Sequence, residues 1–127
     1  GSKVMVEKKQ VLHIFAKVGL NQNLIQLALG KLGATLLFYA GLTEALSKKF
    51  DQSDIFILDD SILEEIEKNQ KFLSTLPKSK IYILLLKQPS NPLSLEGNQQ
   101  TIILRKPFSP GELRGVLQKL GVSFHVR

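Results

Sequence analysis

Five short apolar runs, separated by segments of helical periodicity, constrain the fold of this chain more than any other feature of its sequence. They are VLHIF (11–15), TLLFY (35–39), IFIL (55–58), IYILLL (81–86) and TIIL (101–104). The third and fourth runs are apolar throughout or nearly so, which is typical of strands covered on both faces. Strands that alternate with helices favour parallel pairing through right-handed crossovers. The sequence therefore predicts a doubly wound α/β domain, with helices on both faces of a five-stranded parallel sheet.

The segments between the first three runs carry helical signals. Apolar residues repeat at intervals of three and four over 21–32, which predicts a helix. Gly33 is expected to end that helix, because glycine tolerates positive φ. A shorter helix is expected over 42–49, with Thr43 as its N-cap.

Two capping boxes mark the later helices. Ser61 and Glu64 form the first, which predicts a helix that begins at Ser61 and ends near residue 76. Ser109 and Glu112 form the second, and Pro110 stands at the first helical position after it. The last helix of the domain is therefore expected to begin at Pro110.

The link between the fourth and fifth strands breaks this rhythm. It reads KQPSNPLSLEGNQQ (87–100), and its two prolines and one glycine leave room for about one helical turn. A loop or a shortened helix is expected there. The predicted domain spans 11–121, between a linker at 1–10 that starts with a tag remnant and a tail at 122–127.

Composition narrows the class of protein. A chain of 127 residues with 43% hydrophobic and 22% charged residues is typical of one soluble globular domain. No apolar run approaches the roughly 20 residues of a membrane span, and no signal peptide is visible. The sequence has no cysteine, which excludes disulfides and thiolate chemistry and fits a cytoplasmic setting.

The net charge of +6 raises the question of a nucleic-acid partner. The lysines are scattered along the chain, and most aromatic residues fall within the apolar runs. This distribution indicates a solvated basic surface and argues against nucleic-acid binding. A basic nucleic-acid-binding domain is kept as an alternative, for which affinity would fall steeply with salt.

Ligands of doubly wound folds bind beyond the carboxyl ends of the strands. The residues that follow each predicted strand are therefore the candidates for a functional site. They are Ala16, Lys17, Asp59, Asp60, Lys87, Arg105 and Lys106.

Three stretches of the chain resemble the response-regulator receiver domain. They are NLIQLALGKLGATLLFYAGLTEAL (23–46), DIFILD (54–59) and LRKPFSPGEL (104–113). The resemblance implies a flavodoxin-like sheet of strand order 2-1-3-4-5. It also makes Asp59 the phosphoacceptor position, Lys106 the phosphate-contacting lysine, and the Lys106–Pro107 bond a cis peptide.

Departures from the receiver pattern affect the switch itself. Receivers hold Mg²⁺ with two acidic residues after the first strand, where this chain has Ala16 and Lys17. Strand geometry would point Asp60 to the side opposite Asp59, so that Asp60 would not replace them. The hydroxyl position of receivers is taken by Lys87, and their aromatic switch position by Ile103. These changes predict a degenerate receiver without metal, cofactor or enzymatic activity.

The short proline-rich link resembles receiver-like modules of hybrid sensor histidine kinases. The resemblance implies a cytoplasmic module that binds histidine kinase, receiver or phosphotransfer domains, with weak homodimerisation as a further option. The alternative is a true receiver that accepts a phosphoryl group on Asp59 through an atypical metal site.

Two arrangements of the pocket are compatible with the sequence. Lys17, Lys87 and Lys106 would converge on Asp59 in a locked site, or Lys17 and Lys87 would point into solvent. His13 is expected to be a packed side chain of the first strand. It lies far from His125 in sequence, and the two histidines make no metal site.

Overall fold

A single parallel sheet organises the chain. The computed structural model describes residues 11–30, 35–47, 49–50, 54–75, 81–87 and 100–121. Its strands are β1 (Val11–Phe15), β2 (Thr35–Tyr39), β3 (Ile55–Asp59), β4 (Ile81–Leu86) and β5 (Gln100–Arg105). They pair in the order β2-β1-β3-β4-β5. The predicted fold class, strand order and all five strands are confirmed.

The strand register sets the geometry of the functional edge. All four neighbouring pairs are parallel, with Phe15 opposite Leu58 and Asp59 opposite Leu85. The carboxyl ends of the strands therefore share one edge, and the residues that follow them meet there.

Helices cover both faces of the sheet. They are α1 (Leu20–Leu29), α2 (Asp60–Lys68), α3 (Gln70–Thr75) and α4 (Pro110–Lys119). Ile25, Leu29, Leu113 and Leu117 bury α1 and α4 in the core on one face. Ile62, Ile66 and Phe72 bury α2 and α3 in the core on the other. Both faces of β3 and β4 are therefore covered, which explains why these two strands are almost entirely apolar.

Three helix predictions need correction. The first helix ends at Leu29, three residues before the predicted end, and Gly33 lies outside the described residues. The helix predicted over 42–49 is a single 3₁₀ turn at Ala45–Ser47, where Leu42 and Ala45 are buried. A 3₁₀ turn of this kind rarely extends beyond three or four residues.

The long helix predicted from Ser61 is in fact two helices. Asn69 has non-helical dihedral angles, and its side-chain Oδ1 accepts the Phe72 N–H at 3.0 Å. This bond caps α3 and separates it from α2. The N-cap of α2 is Asp59 and not Ser61, because β3 extends to Asp59 and the chain enters α2 at the next residue.

The last helix follows its prediction. The Ser109 Oγ accepts the Glu112 N–H at 3.2 Å, and the Glu112 Oε1 accepts the Ser109 N–H at 3.3 Å. Pro110 stands at the start of α4 as expected. Residues 88–99 of the link predicted as a loop or shortened helix over 87–100, the linker at 1–10 and the tail at 122–127 lie outside the described residues. Across the described part of the chain, no helix is long and apolar enough to span a membrane.

Candidate functional site

One lysine holds two carboxylates at the carboxyl edge of the sheet. The Lys106 Nζ lies 2.6 Å from the Asp59 Oδ1 and donates a hydrogen bond of 2.6 Å to the Asp60 Oδ1. Asp59 is fully buried, whereas a quarter of the Asp60 side chain is exposed. We call Asp59, Asp60 and Lys106 the carboxylate–lysine cluster.

The two aspartates face the same lysine because the chain changes from strand to helix between them. The Asp59 Oδ2 accepts the Ser61 N–H at 3.0 Å and so caps α2. The Asp60 Oδ2 accepts the Lys87 N–H at 3.0 Å across the sheet edge. The expectation that Asp60 points away from Asp59 was wrong, since the alternation of a strand ends at Asp59.

Ala16 and Lys17 fill the position where the resemblance places two acidic residues. Ala16 is fully buried, and its N–H donates to the Tyr39 carbonyl at 3.0 Å. The Lys17 N–H donates to the Ser61 Oγ at 3.1 Å, and its Nζ lies 2.9 Å from the Glu65 Oε1. The hydrogen bond to Glu65 and its negative charge raise the pKa of Lys17. Lys17 therefore ties the loop after β1 to α2 and does not join Asp59.

Lys87 takes part in the site through its backbone, while its side chain is exposed. Of the two arrangements that the sequence left open, the described contacts match the one in which Lys106 alone pairs with Asp59, although Lys17 pairs with Glu65 as well as being exposed. The Lys106–Pro107 peptide bond is cis, as the resemblance implied. Ile103 is exposed on β5 at the position that the resemblance gives to an aromatic residue.

The Mg²⁺ ion that the resemblance implies does not fit this pocket. Mg²⁺ requires hard oxygen ligands in near-octahedral geometry. Ala16 supplies no side-chain oxygen, and a positively charged Lys106 already lies between the two carboxylates. Among the described residues, no group of three or more His, Cys, Asp or Glu side chains is placed to hold a metal.

A second polar cluster, which we call the core triad, consists of His13, Asp54 and Tyr39. The His13 Nδ1 is 2.8 Å from the Tyr39 Oη, and its Nε2 is 2.7 Å from the Asp54 Oδ2. All three residues are buried. The imidazole also stacks on the Phe56 ring, with centroids 5.1 Å apart. The prediction that His13 is a packed side chain is confirmed.

Asp54 and Tyr39 were not predicted from the sequence as partners of His13. A signal was present, because Asp54 directly precedes an apolar strand and a buried histidine needs polar partners. Burial, followed by the negative charges of Asp54 and Glu44, raises the pKa of Tyr39. The side chains of the triad meet in the core on one face of the sheet, whereas the backbone of Tyr39 ends β2 and accepts the Ala16 N–H at the carboxyl edge.

Comparison with known proteins identifies the fold. No protein-family model and no curated protein matches this sequence. A response regulator receiver domain from Bacillus halodurans is 22% identical with a TM-score of 0.61, over 87% of this chain and 95% of that one. The receiver domain of a sensor histidine kinase from Pseudomonas aeruginosa is 21% identical with a TM-score of 0.57, over 88% and 97%. Its structure holds a magnesium ion in the active-site cleft.

A chemotaxis response regulator from Vibrio cholerae is also similar, with 19% identity and a TM-score of 0.53 over 88% of this chain and 98% of that one. Each of these chains is covered almost completely, and the strand order found here is the one that the receiver resemblance implied. The chain therefore has the fold of response-regulator receiver domains.

Proposed function

We propose that this chain is a degenerate receiver-like module of two-component signalling, which acts by binding other proteins and is not switched by phosphorylation of Asp59. The observation that carries the proposal is the start of the loop after β1, where the buried Ala16 and the Glu65-paired Lys17 stand at the position of two acidic metal ligands. The Lys106 ammonium group, which contacts both Asp59 and Asp60, is the cation that this pocket retains.

The environment of Asp59 supports this proposal. A phosphoacceptor carboxylate must reach an incoming phosphoryl group in line, and the transferred group needs its charge neutralised. Asp59 has no exposed surface, one of its oxygens caps α2, and the other lies against Lys106. The loop after β1 is held by Ser61 and Glu65, and it offers no carboxylate to a metal.

The partners of such a module would be histidine kinase, receiver or phosphotransfer domains of the same chain or of another. A place within a hybrid sensor histidine kinase, on the cytoplasmic side, is part of the proposal. The module would have no enzymatic activity, and its surface would carry the function.

A true receiver with an atypical metal site is the second candidate. The observation that favours it is the proximity of the two carboxylates, which one cation already bridges. Under this function, Asp59 would accept the phosphoryl group after displacement of Lys106 by a divalent metal.

Incubation with acetyl phosphate and Mg²⁺ separates the two functions. We expect the intact mass of the parent to stay unchanged, like that of an Asp59→Asn variant treated in parallel. We also expect beryllofluoride to leave the ¹H–¹⁵N NMR spectrum unchanged around Asp59 and Lys106. A phosphoryl adduct on the parent that is missing from Asp59→Asn would contradict the proposal and establish the second candidate.

A further inference from the structure

We infer that Lys106 is a built-in counter-ion that excludes divalent cations from this pocket, so that removal of its charge would create a metal site. This inference rests on the proposed function and deepens it. It assigns the loss of metal binding to an occupant of the site, in addition to the missing acidic residues at Ala16 and Lys17.

All four carboxylate oxygens of the cluster already have partners. Lys106 lies against one oxygen of Asp59 and one of Asp60. The second oxygen of Asp59 accepts the Ser61 N–H, and the second oxygen of Asp60 accepts the Lys87 N–H. A metal ion placed between the two carboxylates would have to replace the Lys106 ammonium group, which lies 2.6 Å from an oxygen of each; the other two donors are backbone N–H groups.

Lys106 is also well placed to resist displacement. Its backbone N–H donates to the Leu86 carbonyl at 2.8 Å, which fixes the start of the side chain beside β4. The side chain is 8% exposed. A tethered cation acts at a high effective concentration, whereas Mg²⁺ must come from bulk water and give up hydration. The ammonium group thus competes within the molecule against an ion that binds from outside.

The two aspartates without Lys106 would resemble a weak divalent site. They would carry two negative charges about one buried position, and carboxylate oxygens are the ligands that Mg²⁺ and Mn²⁺ prefer. The remaining ligands would be water, because Ala16 supplies none and the Lys17 ammonium is held by Glu65. The inference therefore predicts a gain of modest affinity upon loss of Lys106.

The test uses Mn²⁺ as a paramagnetic probe, read from the broadening of amide signals in ¹H–¹⁵N spectra. The parent is compared with Lys106→Met, which removes the charge and keeps an unbranched side chain only one atom shorter. Lys87→Met is the matched control, because it removes the same charge nearby and keeps the N–H that binds Asp60. We expect Lys106→Met to show broadening at Asp59, Asp60 and Ser61 at about tenfold lower Mn²⁺ than the parent or the control.

The inference is overturned if the parent shows this localised broadening as readily as Lys106→Met. It is equally overturned if Lys106→Met keeps the native spectrum and binds Mn²⁺ no better than Lys87→Met. Should Lys106→Met fail to fold, the parent alone decides through the ¹⁵N ammonium signal of Lys106. We expect Mn²⁺ to leave that signal sharp, and its selective broadening contradicts the inference.

These outcomes are distinct from a failure of the proposed function. A parent that binds Mn²⁺ at the cluster but accepts no phosphoryl group removes the inference and leaves the function standing. A parent that forms a phosphoryl adduct on Asp59 removes the proposed function, whatever the metal titration shows.

Discussion

Strand β3 carries a polar cluster at each end, and the two differ in how they are held together. Asp54 precedes the strand and belongs to the core triad, in which an imidazole ring joins two partners through its two nitrogen atoms. Asp59 ends the strand and belongs to the carboxylate–lysine cluster, in which one ammonium group joins two carboxylates. The triad is held by hydrogen bonds whose directions the imidazole ring fixes, whereas the cluster is held mainly by the positive charge of the Lys106 ammonium group.

This difference shows that burial and polarity alone do not mark a functional site. The core triad is the more enclosed of the two, with aromatic rings of Phe50 and Phe56 packed on His13. The carboxylate–lysine cluster lies where ligands of doubly wound folds bind, and Asp60 keeps a quarter of its surface in solvent. Position at the carboxyl end of β3, and not before its start, separates the candidate site from the structural network.

The largest expected effect concerns the core triad. Substitution of His13 by Ala removes a ring from the core and takes a partner from both Asp54 and Tyr39. We expect the free energy of unfolding to fall by about 4 kcal/mol, from cavity formation and weakened hydrogen bonding together. Urea denaturation measures the change. His13→Phe fills the volume and should cost about 2 kcal/mol; a His13→Phe variant as stable as the parent would show that the polar contacts contribute nothing.

A smaller effect is expected at the other end of β3. Asp59→Ala removes the N-cap of α2 and one buried partner of Lys106, while Asp60 remains to balance the charge. We expect a loss of about 2 kcal/mol in urea denaturation. Asp59→Asn keeps a cap acceptor and should lose less. Lys17→Met is the surface control. Loss of its exposed ion pair with Glu65 should leave the free energy of unfolding unchanged. Equal losses for Asp59→Ala and Lys17→Met would refute the internal ion pair.

The smallest expected effect is a loss of stability at alkaline pH, in which Tyr39 of the triad is compared with Tyr82, another core tyrosine. Burial raises the pKa of both Tyr39 and Tyr82. Above pH 10 the unfolded chain releases these protons while the folded chain keeps them, so stability falls as pH rises. Each tyrosine should contribute about 1.4 kcal/mol per pH unit until its folded pKa is reached.

The measurement is the urea midpoint as a function of pH. Tyr39→Phe and Tyr82→Phe should each reduce the alkaline slope, but only Tyr39→Phe also removes the hydrogen bond to His13 at neutral pH. An alkaline slope that neither substitution changes would mean that other groups cause the loss.

The sequence predicted the strands well because each is a short apolar run with little competing signal. The capping box at Ser109 was equally clear, since Pro110 and Glu112 support the same boundary. The start of α2 was ambiguous, because Asp59, Asp60 and Ser61 are all good caps. Tertiary structure decided it, since pairing with Leu85 extends β3 to Asp59.

The site was predicted in part for a related reason. The pairing of Asp59 with Lys106 followed from the resemblance, and the structure places the two in contact. The role of Asp60 could not be found from strand alternation, because it depends on where the strand stops. The pairing of Lys17 with Glu65 joins residues from separate elements, and local periodicity carries no information about such a contact.

The length of β3 has a thermodynamic consequence. Five residue steps separate Asp54 from Asp59, which is about 17 Å along an extended strand. Groups more than about 10 Å apart usually contribute additively to stability. The carboxyl edge can therefore be rebuilt, residue by residue, without disturbing the network around His13, and a double-mutant cycle between the two ends should give a coupling energy near zero.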